Sequence, residues 1–178
     1  QVYNATGNDA PDVDEPAKLK ALFDTVQKLN ADGLIRAYHD RSDGGLFAAA
    51  VEMAFASRCG VTLDLDGICF DGAALDVDGA EKRPDLMAGR DFEKVVRVLF
   101  NEEVGALIQV KRDDRSTVTA ALREAGLAYH FVGLLNEWDE IRIIRNAKKL
   151  LREKRVDLQR AWSETSYQMQ AMRDNPSC

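Results

Sequence analysis

Residues 37–46 read AYHDRSDGGL, and the predicted fold depends on the transition within this stretch. Apolar residues before it predict a strand at 34–38, and apolar residues after it predict a helix at 46–57. Short polar side chains and two glycines join the two elements, which is typical of a strand-to-helix turn. We therefore expect a turn that lies just beyond the carboxyl end of a strand in a mixed α/β fold.

The same turn has the composition of a ligand site. A helix amino terminus presents free backbone N–H groups and the positive end of the helix dipole, which suits a phosphate. Asp40 and Asp43 add carboxylate oxygens, the ligands that hard divalent cations prefer. The structural alternative is that Ser42 or Asp43 caps the helix while Gly44 and Gly45 permit close packing. The residues alone leave both interpretations open.

Further helices and strands alternate outward from this stretch. Apolar residues at helical spacing predict three more helices, at residues 17–29, 92–100 and 116–125. Apolar runs and period-two alternation predict four strands, at residues 61–66, 106–110, 129–135 and 141–144. A last stripe of Trp162, Met169 and Met172 predicts a C-terminal helix. The fold class that follows is α/β (α+β), with a mixed, partly antiparallel β-sheet layered with helices.

Two segments have weaker signals. The polar, glycine-containing stretch 71–90 has no period, which predicts an inserted surface loop. Within residues 61–66, Asp64 and Asp66 alternate with apolar residues. We expect these two acids on the outward face of an edge strand.

Acidic residues also follow the predicted helix at 92–100. Glu102 and Glu103 belong to a short polar segment that ends at Gly105 and precedes the next strand. Their side chains could face a cleft. Because polar turns at helix ends are ordinary, we favour a turn without a functional role.

Composition excludes several classes of protein. The net charge is -6 and the basic residues are scattered, apart from residues 148–155, so a nucleic-acid partner is not expected. No apolar stretch approaches the length of a membrane span. The three cysteines have neither paired nor metal-binding spacing, which indicates a reducing compartment. We expect a cytoplasmic protein without nucleic-acid or membrane partners.

Four motifs occur in a fixed order along the chain. They are AYHDRSDGGL at 37–46, EMAFA at 52–56, LFNEE with GA at 99–106, and WSET, QMQ and RDNP at 162–176. Each motif is weak alone, but four in register are specific. Together they resemble the phosphoribosylformylglycinamidine synthase family, in its large single-chain form. The resemblance extends over roughly residues 17–176.

The resemblance implies a domain organisation and a reaction. Residues 17–157 would form an AIR synthetase C-terminal-domain-like fold, after a flexible lead-in at 1–16 and before a helix at 158–178 that leads toward a glutaminase domain. The partners would be the remaining domains of the same polypeptide, namely the synthetase halves and the glutaminase. The family reaction is the ATP- and glutamine-dependent conversion of formylglycinamide ribonucleotide to formylglycinamidine ribonucleotide. This fragment alone is expected to be inactive.

The resemblance also assigns site residues. Asp40 would hold Mg²⁺, and Ser42 would contact a phosphate of ATP or ADP. The expected neighbours of this site are His39, Asp43, Gly44 and Gly45. No residue is expected to be catalytic, because the family's glycine-rich ATP-binding stretch and glutaminase residues belong to segments outside this chain. The competing hypothesis is an interface domain that scaffolds the synthetase and glutaminase parts without ligand contacts.

Overall fold

A computed structural model of the chain describes residue 13 and residues 15–69 and 84–174, with side chains described from residue 92 in the last range. These residues contain six helices and six strands. The helices are α1 (Pro16–Ala31), α2 (Gly45–Ser57), α3 (Asp66–Cys69), α4 (Pro84–Phe100), α5 (Arg115–Glu124) and α6 (Arg155–Asp174). The strands are β1 (Ile35–Asp40), β2 (Gly60–Asp64), β3 (Ala106–Val110), β4 (Gly133–Asn136), β5 (Glu140–Arg145) and β6 (Lys148–Lys154). Their order along the chain is α1-β1-α2-β2-α3-α4-β3-α5-β4-β5-β6-α6.

The strands form two sheets. One sheet is the antiparallel pair β1 and β3, and the other has the order β4-β2-β5-β6. In the second sheet, β2 is antiparallel to β4 and parallel to β5. This arrangement confirms the expected α/β class with mixed, partly antiparallel strands.

The described residues divide into two compact units. The first contains the residues up to Ala49 together with Val96–Tyr129, and the second contains Ala50–Val95 with the residues from His130 onward. The first unit holds the β1–β3 pair, and the second holds the four-stranded sheet.

The first unit packs α1 and α5 against its two-stranded sheet. Leu29, Val118 and Leu122 are its most buried cluster, and apolar residues of β1 and β3 pack against it. Both helices end in a glycine with positive φ, Gly33 at 69° and Gly126 at 71°. At each end backbone hydrogen bonds fold back onto the last helical turn, which is the usual glycine closure of a helix.

The second unit is built around the inner strands of its sheet. Leu63 and Ile141, on neighbouring strands, are 1% and 0% exposed, and Leu65 just after β2 is 0% exposed. Asp64 and Asp66 are exposed, as expected, but β2 lies between β4 and β5, so the predicted edge strand is wrong. The amino-acid pattern shows only which side chains are buried, whereas strand order depends on pairing with distant segments.

The two acids after β2 make local hydrogen bonds. The Asp66 amide donates to Asp64 Oδ1 at 3.0 Å, and the Asn146 amide donates to Asp66 Oδ1 at 2.7 Å. Their carboxylates therefore order the end of β2 and the turn between β5 and β6. That turn contains Asn146 and Ala147, both with positive φ.

Two predicted element starts differ from the structure, and one strand was not predicted. α4 begins at Pro84, so the part of the predicted loop at 84–90 is helical, while residues 71–83 lie outside the described residues. Residues 129–132 are not in a strand, since β4 begins at Gly133. The sequence pattern missed β6 entirely, because its alternation is hidden by lysines and arginines, which are typical of an exposed edge.

The C-terminal helix α6 agrees with the predicted apolar stripe, but only part of that stripe is packed. The Trp162 ring lies 5.7 Å from the Phe55 ring, and Trp162 Nε1 donates to Glu52 Oε1 at 2.9 Å. Trp162 is nevertheless 62% exposed, and Met169 and Met172 are exposed as well. In the part of the chain that the structure describes, no helix combines the length and apolar character that crossing a membrane requires.

Candidate functional site: the turn after β1

The candidate site begins on the exposed face of β1. Side chains along this strand alternate between half-buried and exposed, so Tyr38 and Asp40 are both exposed on one face. The Tyr38 hydroxyl donates to Asp40 Oδ1 at 2.5 Å. Partial burial, together with the hydrogen bond to Asp40 and its negative charge, raises the pKa of Tyr38 to about 12. The phenol therefore remains a neutral donor to the carboxylate.

A cleft opens beside the end of this strand. Its volume is about 370 Å³. Its lining residues come from the turn after β1 and from the segment before β3, and they are Asp40, Arg41, Ser42, Asp43, Glu102, Val104 and Gly105. The structure thus brings Asp40, Ser42 and Asp43 to one open surface, and all three are exposed.

Arg41 connects the two segments that line the cleft. Its amide donates to the Gly105 carbonyl at 2.9 Å, and its Nε donates to the Glu103 carbonyl at 2.7 Å. A further bond of 3.3 Å joins a terminal nitrogen of Arg41 to the Val104 carbonyl. A Cβ on Gly105 would lie 3.2 Å from the Arg41 guanidinium carbon, so the glycine leaves room for the side chain above it.

Partial burial affects the charge balance of Arg41. Burial lowers the pKa of Arg41, while the negative charge of Glu103 acts in the opposite direction. An arginine remains protonated in proteins throughout the physiological range. Backbone carbonyls accept hydrogen bonds from its side chain, and the negative charge of Glu103 compensates its positive charge. Arg41 therefore has a structural role in this cleft.

The backbone N–H groups of the turn are mostly engaged within the protein. The Gly44 amide donates to Glu102 Oε1 at 2.9 Å, and the Gly45 amide donates to the Ser42 carbonyl at 2.8 Å. The Arg41 amide is bound to Gly105. The expectation that these amides are free for a phosphate is therefore wrong for all three positions, because a remote carboxylate and two carbonyls accept their hydrogen bonds.

The two glycines serve the close packing that the structural alternative described. Gly44 has a φ of 80° and Gly45 a φ of 65°. A Cβ on Gly45 would lie 2.7 Å from the Leu99 carbonyl oxygen, and one on Gly44 would lie 2.7 Å from Ala48 Cβ. Within the described residues, neither Ser42 nor Asp43 uses its side chain in a hydrogen bond. The packing part of that alternative is confirmed, and the side-chain cap is not formed.

His39 lies on the other side of β1 from Asp40. It is half-buried, and its Nδ1 donates to the carbonyl oxygen of Asp40 at 2.7 Å. Because neighbouring residues of a strand face opposite ways, the His39 ring and the Asp40 carboxylate do not converge on one ligand position. The structure does not place His39 among the residues that line the cleft.

Glu102 is the residue of this site that sequence reasoning missed. The favoured interpretation treated residues 101–105 as an ordinary polar turn, yet the Glu102 carboxylate lines the cleft and accepts the Gly44 hydrogen bond. This position agrees with the alternative that the acids of this segment face a cleft. The available signal was the position of two acids directly between a helix and the strand that pairs with β1.

The donor set of the cleft fits a metal-bound phosphate only in part. Asp40 offers an exposed carboxylate and Ser42 an exposed hydroxyl, both of which are hard oxygen donors. Among the residues whose positions are described, no group of three or more His, Cys, Asp or Glu is arranged to hold a metal ion. Asp40 is therefore not part of a complete set of protein metal ligands within the described residues.

The fold and the cleft define a mixed α/β domain with an acidic, oxygen-lined site at the end of a strand. A family model described as "AIR synthase related protein, C-terminal domain" matches residues 2–146. The chain belongs to this family.

Solved structures with a similar fold include two kinds of protein. Thermotoga maritima PurL complexed with ATP has a TM-score of 0.62 and 18% identity, over 86% of this chain and 24% of that chain. Phosphoribosylformylglycinamidine synthase II from the same organism has a TM-score of 0.62 and 18% identity, over 85% of this chain and 24% of that chain. The hydrogenase maturation protein HypE of E. coli has a TM-score of 0.52 and 22% identity, over 75% of this chain and 38% of that chain.

These comparisons concern only part of each relative. The chain spans about a quarter of the length of the PurL structures and 38% of HypE. At identities of 22% and below, the likeness shows a shared fold. The activity of the whole relatives is therefore a matter for proposal.

Proposed function

We propose that this chain is a domain of a large single-chain phosphoribosylformylglycinamidine synthase and forms part of its Mg²⁺–nucleotide site. One observation carries the proposal: Asp40 and Ser42 are both exposed on the same cleft at the end of β1. Family membership supports it, as do PurL structures complexed with ATP and with ADP.

Each proposed site residue has a distinct role. The Asp40 carboxylate would bind Mg²⁺, and the Ser42 hydroxyl would donate a hydrogen bond to a phosphate oxygen. The ion would neutralise phosphate charge when bound. Tyr38 supports this role, because its hydroxyl binds one Asp40 oxygen and limits the orientations that the carboxylate adopts. Asp43 is a further exposed carboxylate on the cleft.

The proposed reaction belongs to the whole protein. It is the ATP-dependent ligation in which ammonia from glutamine converts formylglycinamide ribonucleotide into the amidine, a step of purine biosynthesis in the cytoplasm. In this proposal residues 17–157 form the domain, residues 1–16 precede it, and residues 158–178 lead toward a glutaminase domain. The remaining domains of the same polypeptide supply the other metal ligands, so this chain is inactive alone.

A scaffold function is the second candidate, and α6 carries the observation that favours it. Met169 and Met172, three residues apart and thus neighbours on the surface of this helix, are 63% and 75% exposed. Exposed apolar side chains that lie close together are common at contacts between domains. In that case the domain would hold the synthetase and glutaminase parts together without a ligand at Asp40.

Calorimetric titration of the 178-residue chain with ADP in the presence of Mg²⁺ separates the two candidates. The ligand-site proposal predicts heat of binding that is lost in Asp40→Asn and kept in Asp113→Asn, an exposed acid that follows β3 at the end of the strand pair opposite to Asp40. In the longer protein, Asp40→Ala should lower glutamine- and ATP-dependent amidine formation. Unchanged amidine formation and unchanged nucleotide content in that variant would overturn the proposed site and favour the scaffold.

A further inference from the structure

We propose that Glu102 is a positioning residue that holds the turn at residues 40–45 in the arrangement the nucleotide site needs. Its carboxylate accepts the Gly44 hydrogen bond at 2.9 Å from a segment almost sixty residues further along the chain. This inference rests on the proposed function and adds a residue that recognises no ligand itself but determines how Asp40 and Ser42 are presented.

The turn needs external contacts because its own sequence does not fix its shape. Gly44 and Gly45 follow directly after Asp43, and glycine permits more backbone conformations than any other residue. Neither Ser42 nor Asp43 stabilises the turn through a side-chain hydrogen bond in the described part of the chain. A backbone hydrogen bond from the Gly45 amide to the Ser42 carbonyl closes the turn, and contacts with residues 99–105 hold it in place.

Those contacts form two connections on either side of Ser42. Before it, Arg41 binds the carbonyls of Glu103, Val104 and Gly105. After it, Gly44 binds the Glu102 carboxylate. Ser42 therefore lies between two anchored residues and remains exposed on the cleft, next to Asp40.

The segment that carries Glu102 is itself ordered. Asn101 Oδ1 accepts a hydrogen bond from the Glu103 amide at 2.6 Å, which closes a tight turn around Glu102. The Asn101 amide donates to the Arg97 carbonyl of α4 at 2.9 Å. A carboxylate held on such a segment can define the position of a flexible partner, because its own backbone is fixed on both sides.

Charge explains why an acid serves here. Gly44 immediately precedes the first residue of α2, where the helix dipole presents partial positive charge. The Glu102 carboxylate satisfies that end of the helix, so an arriving nucleotide meets an amide that is already bound. In this proposal the Ser42 hydroxyl and the cation at Asp40 recognise the phosphate, and the Gly44 amide does not.

Amide hydrogen exchange of the 178-residue chain tests the positioning role without any ligand. Glu102→Ala should increase the exchange rate at Gly44 and its neighbours by roughly tenfold, because one charge-assisted hydrogen bond is lost. The midpoint of thermal unfolding should change little. Glu102→Gln should restore most of the protection, since the amide oxygen still accepts the bond. Glu124→Ala removes the same charge from the end of α5 and should leave the turn unchanged.

Affinity for ADP with Mg²⁺ provides the second readout. We expect binding to weaken roughly tenfold in Glu102→Ala and to recover in Glu102→Gln. If exchange at residues 40–45 is the same in Glu102→Ala as in the unmodified chain, the positioning role is wrong, whatever the nucleotide result. If exchange changes as expected but neither the 178-residue chain nor the longer protein binds nucleotide, the proposed function is wrong. The role of Glu102 in ordering the turn would then stand without a nucleotide site.

Discussion

Gly45 lies directly against the carbonyl oxygen of Leu99. A Cβ built on Gly45 would come within 2.7 Å of that oxygen and within 2.8 Å of the Asn101 carbonyl oxygen. The first turn of α2 is thus in backbone contact with the end of α4, and no side chain larger than hydrogen fits between them. This contact places residues 101–105 beside the turn that carries Asp40 and Ser42.

Substitution of Gly45 tests this contact. Gly45→Ala should lower the free energy of unfolding by about 3 kcal/mol, because it combines a strained positive φ with collision against backbone atoms. Gly33→Ala is the matched control, since Gly33 has a φ of 69° but nothing within 4 Å of an added Cβ. It should cost only about 1 kcal/mol, and equal losses in urea-induced unfolding would show that the close contact is absent.

The Tyr38 hydroxyl reports on the Asp40 carboxylate. With a pKa raised from 10.0 to about 12, Tyr38 binds its proton more tightly in the folded state than in the unfolded state. It therefore stabilises the fold fully below pH 10, and this contribution is lost as the pH rises toward 12. Ultraviolet titration of phenolate should show a late-ionising signal that is lost in Tyr38→Phe.

In Asp40→Asn the same tyrosine should ionise earlier. The loss of the negative charge removes the coulombic cause of the raised pKa and weakens the hydrogen bond from Tyr38, but partial burial is the largest cause and remains. The pKa should thus fall below 12 and stay above 10. A Tyr38 titration that does not respond to Asp40→Asn would contradict the hydrogen bond between the two side chains.

Glu140 should make the second unit sensitive to acid. Hydrogen bonds from Arg152 and Arg142 lower the pKa of Glu140 from 4.5 to about 2. A lowered pKa in the folded state gives stability above pH 4.5 that is lost as the pH falls toward 2. Urea unfolding across this pH range should show that Glu140→Gln loses less of its free energy of unfolding on acidification than the unmodified chain does. Glu153→Gln, on the exposed β6 strand, should behave like the unmodified chain.

The turn between β5 and β6 offers a stabilising substitution. Ala147 has a φ of 58°, a left-handed conformation that glycine adopts without strain. Ala147→Gly should therefore raise the free energy of unfolding by about 1 kcal/mol. Ala121→Gly, within α5, is the control with the opposite sign and should lower it by about 1 kcal/mol. Destabilisation by Ala147→Gly in thermal or urea unfolding would contradict the positive φ.

Trp162 should hold α6 within the second unit. Trp162→Phe keeps a ring beside Phe55 but loses the hydrogen bond to Glu52, and we expect a loss of about 1 kcal/mol in the free energy of unfolding. Trp162→Ala should cost more, because it also removes the ring contact. Tyr167→Ala, on an exposed part of the same helix, should change stability by less than about 0.5 kcal/mol. Equal effects of Trp162→Ala and Tyr167→Ala would contradict the role of Trp162.

Local patterns in the sequence determined most of the secondary structure. Apolar periodicity located α1, α2, α5 and α6, and it located β1 and β3 to within two residues. These predictions succeed because a helix or strand must bury one stripe or face, which leaves a period in the sequence. The pattern failed at β6, where an edge strand buries little and its charged side chains conceal the alternation.

The sequence also determined which turn carries Asp40 and Ser42, because a strand, two glycines and a helix occur in immediate succession. Only the tertiary structure decided how that turn is held. Glu102 and Gly44 meet because β1 pairs with β3, and the Gly44 amide is bound by a carboxylate that no local spacing identifies. Hydrogen bonds between distant segments depend on strand pairing and close backbone packing, and neither leaves a period that can be detected along the chain.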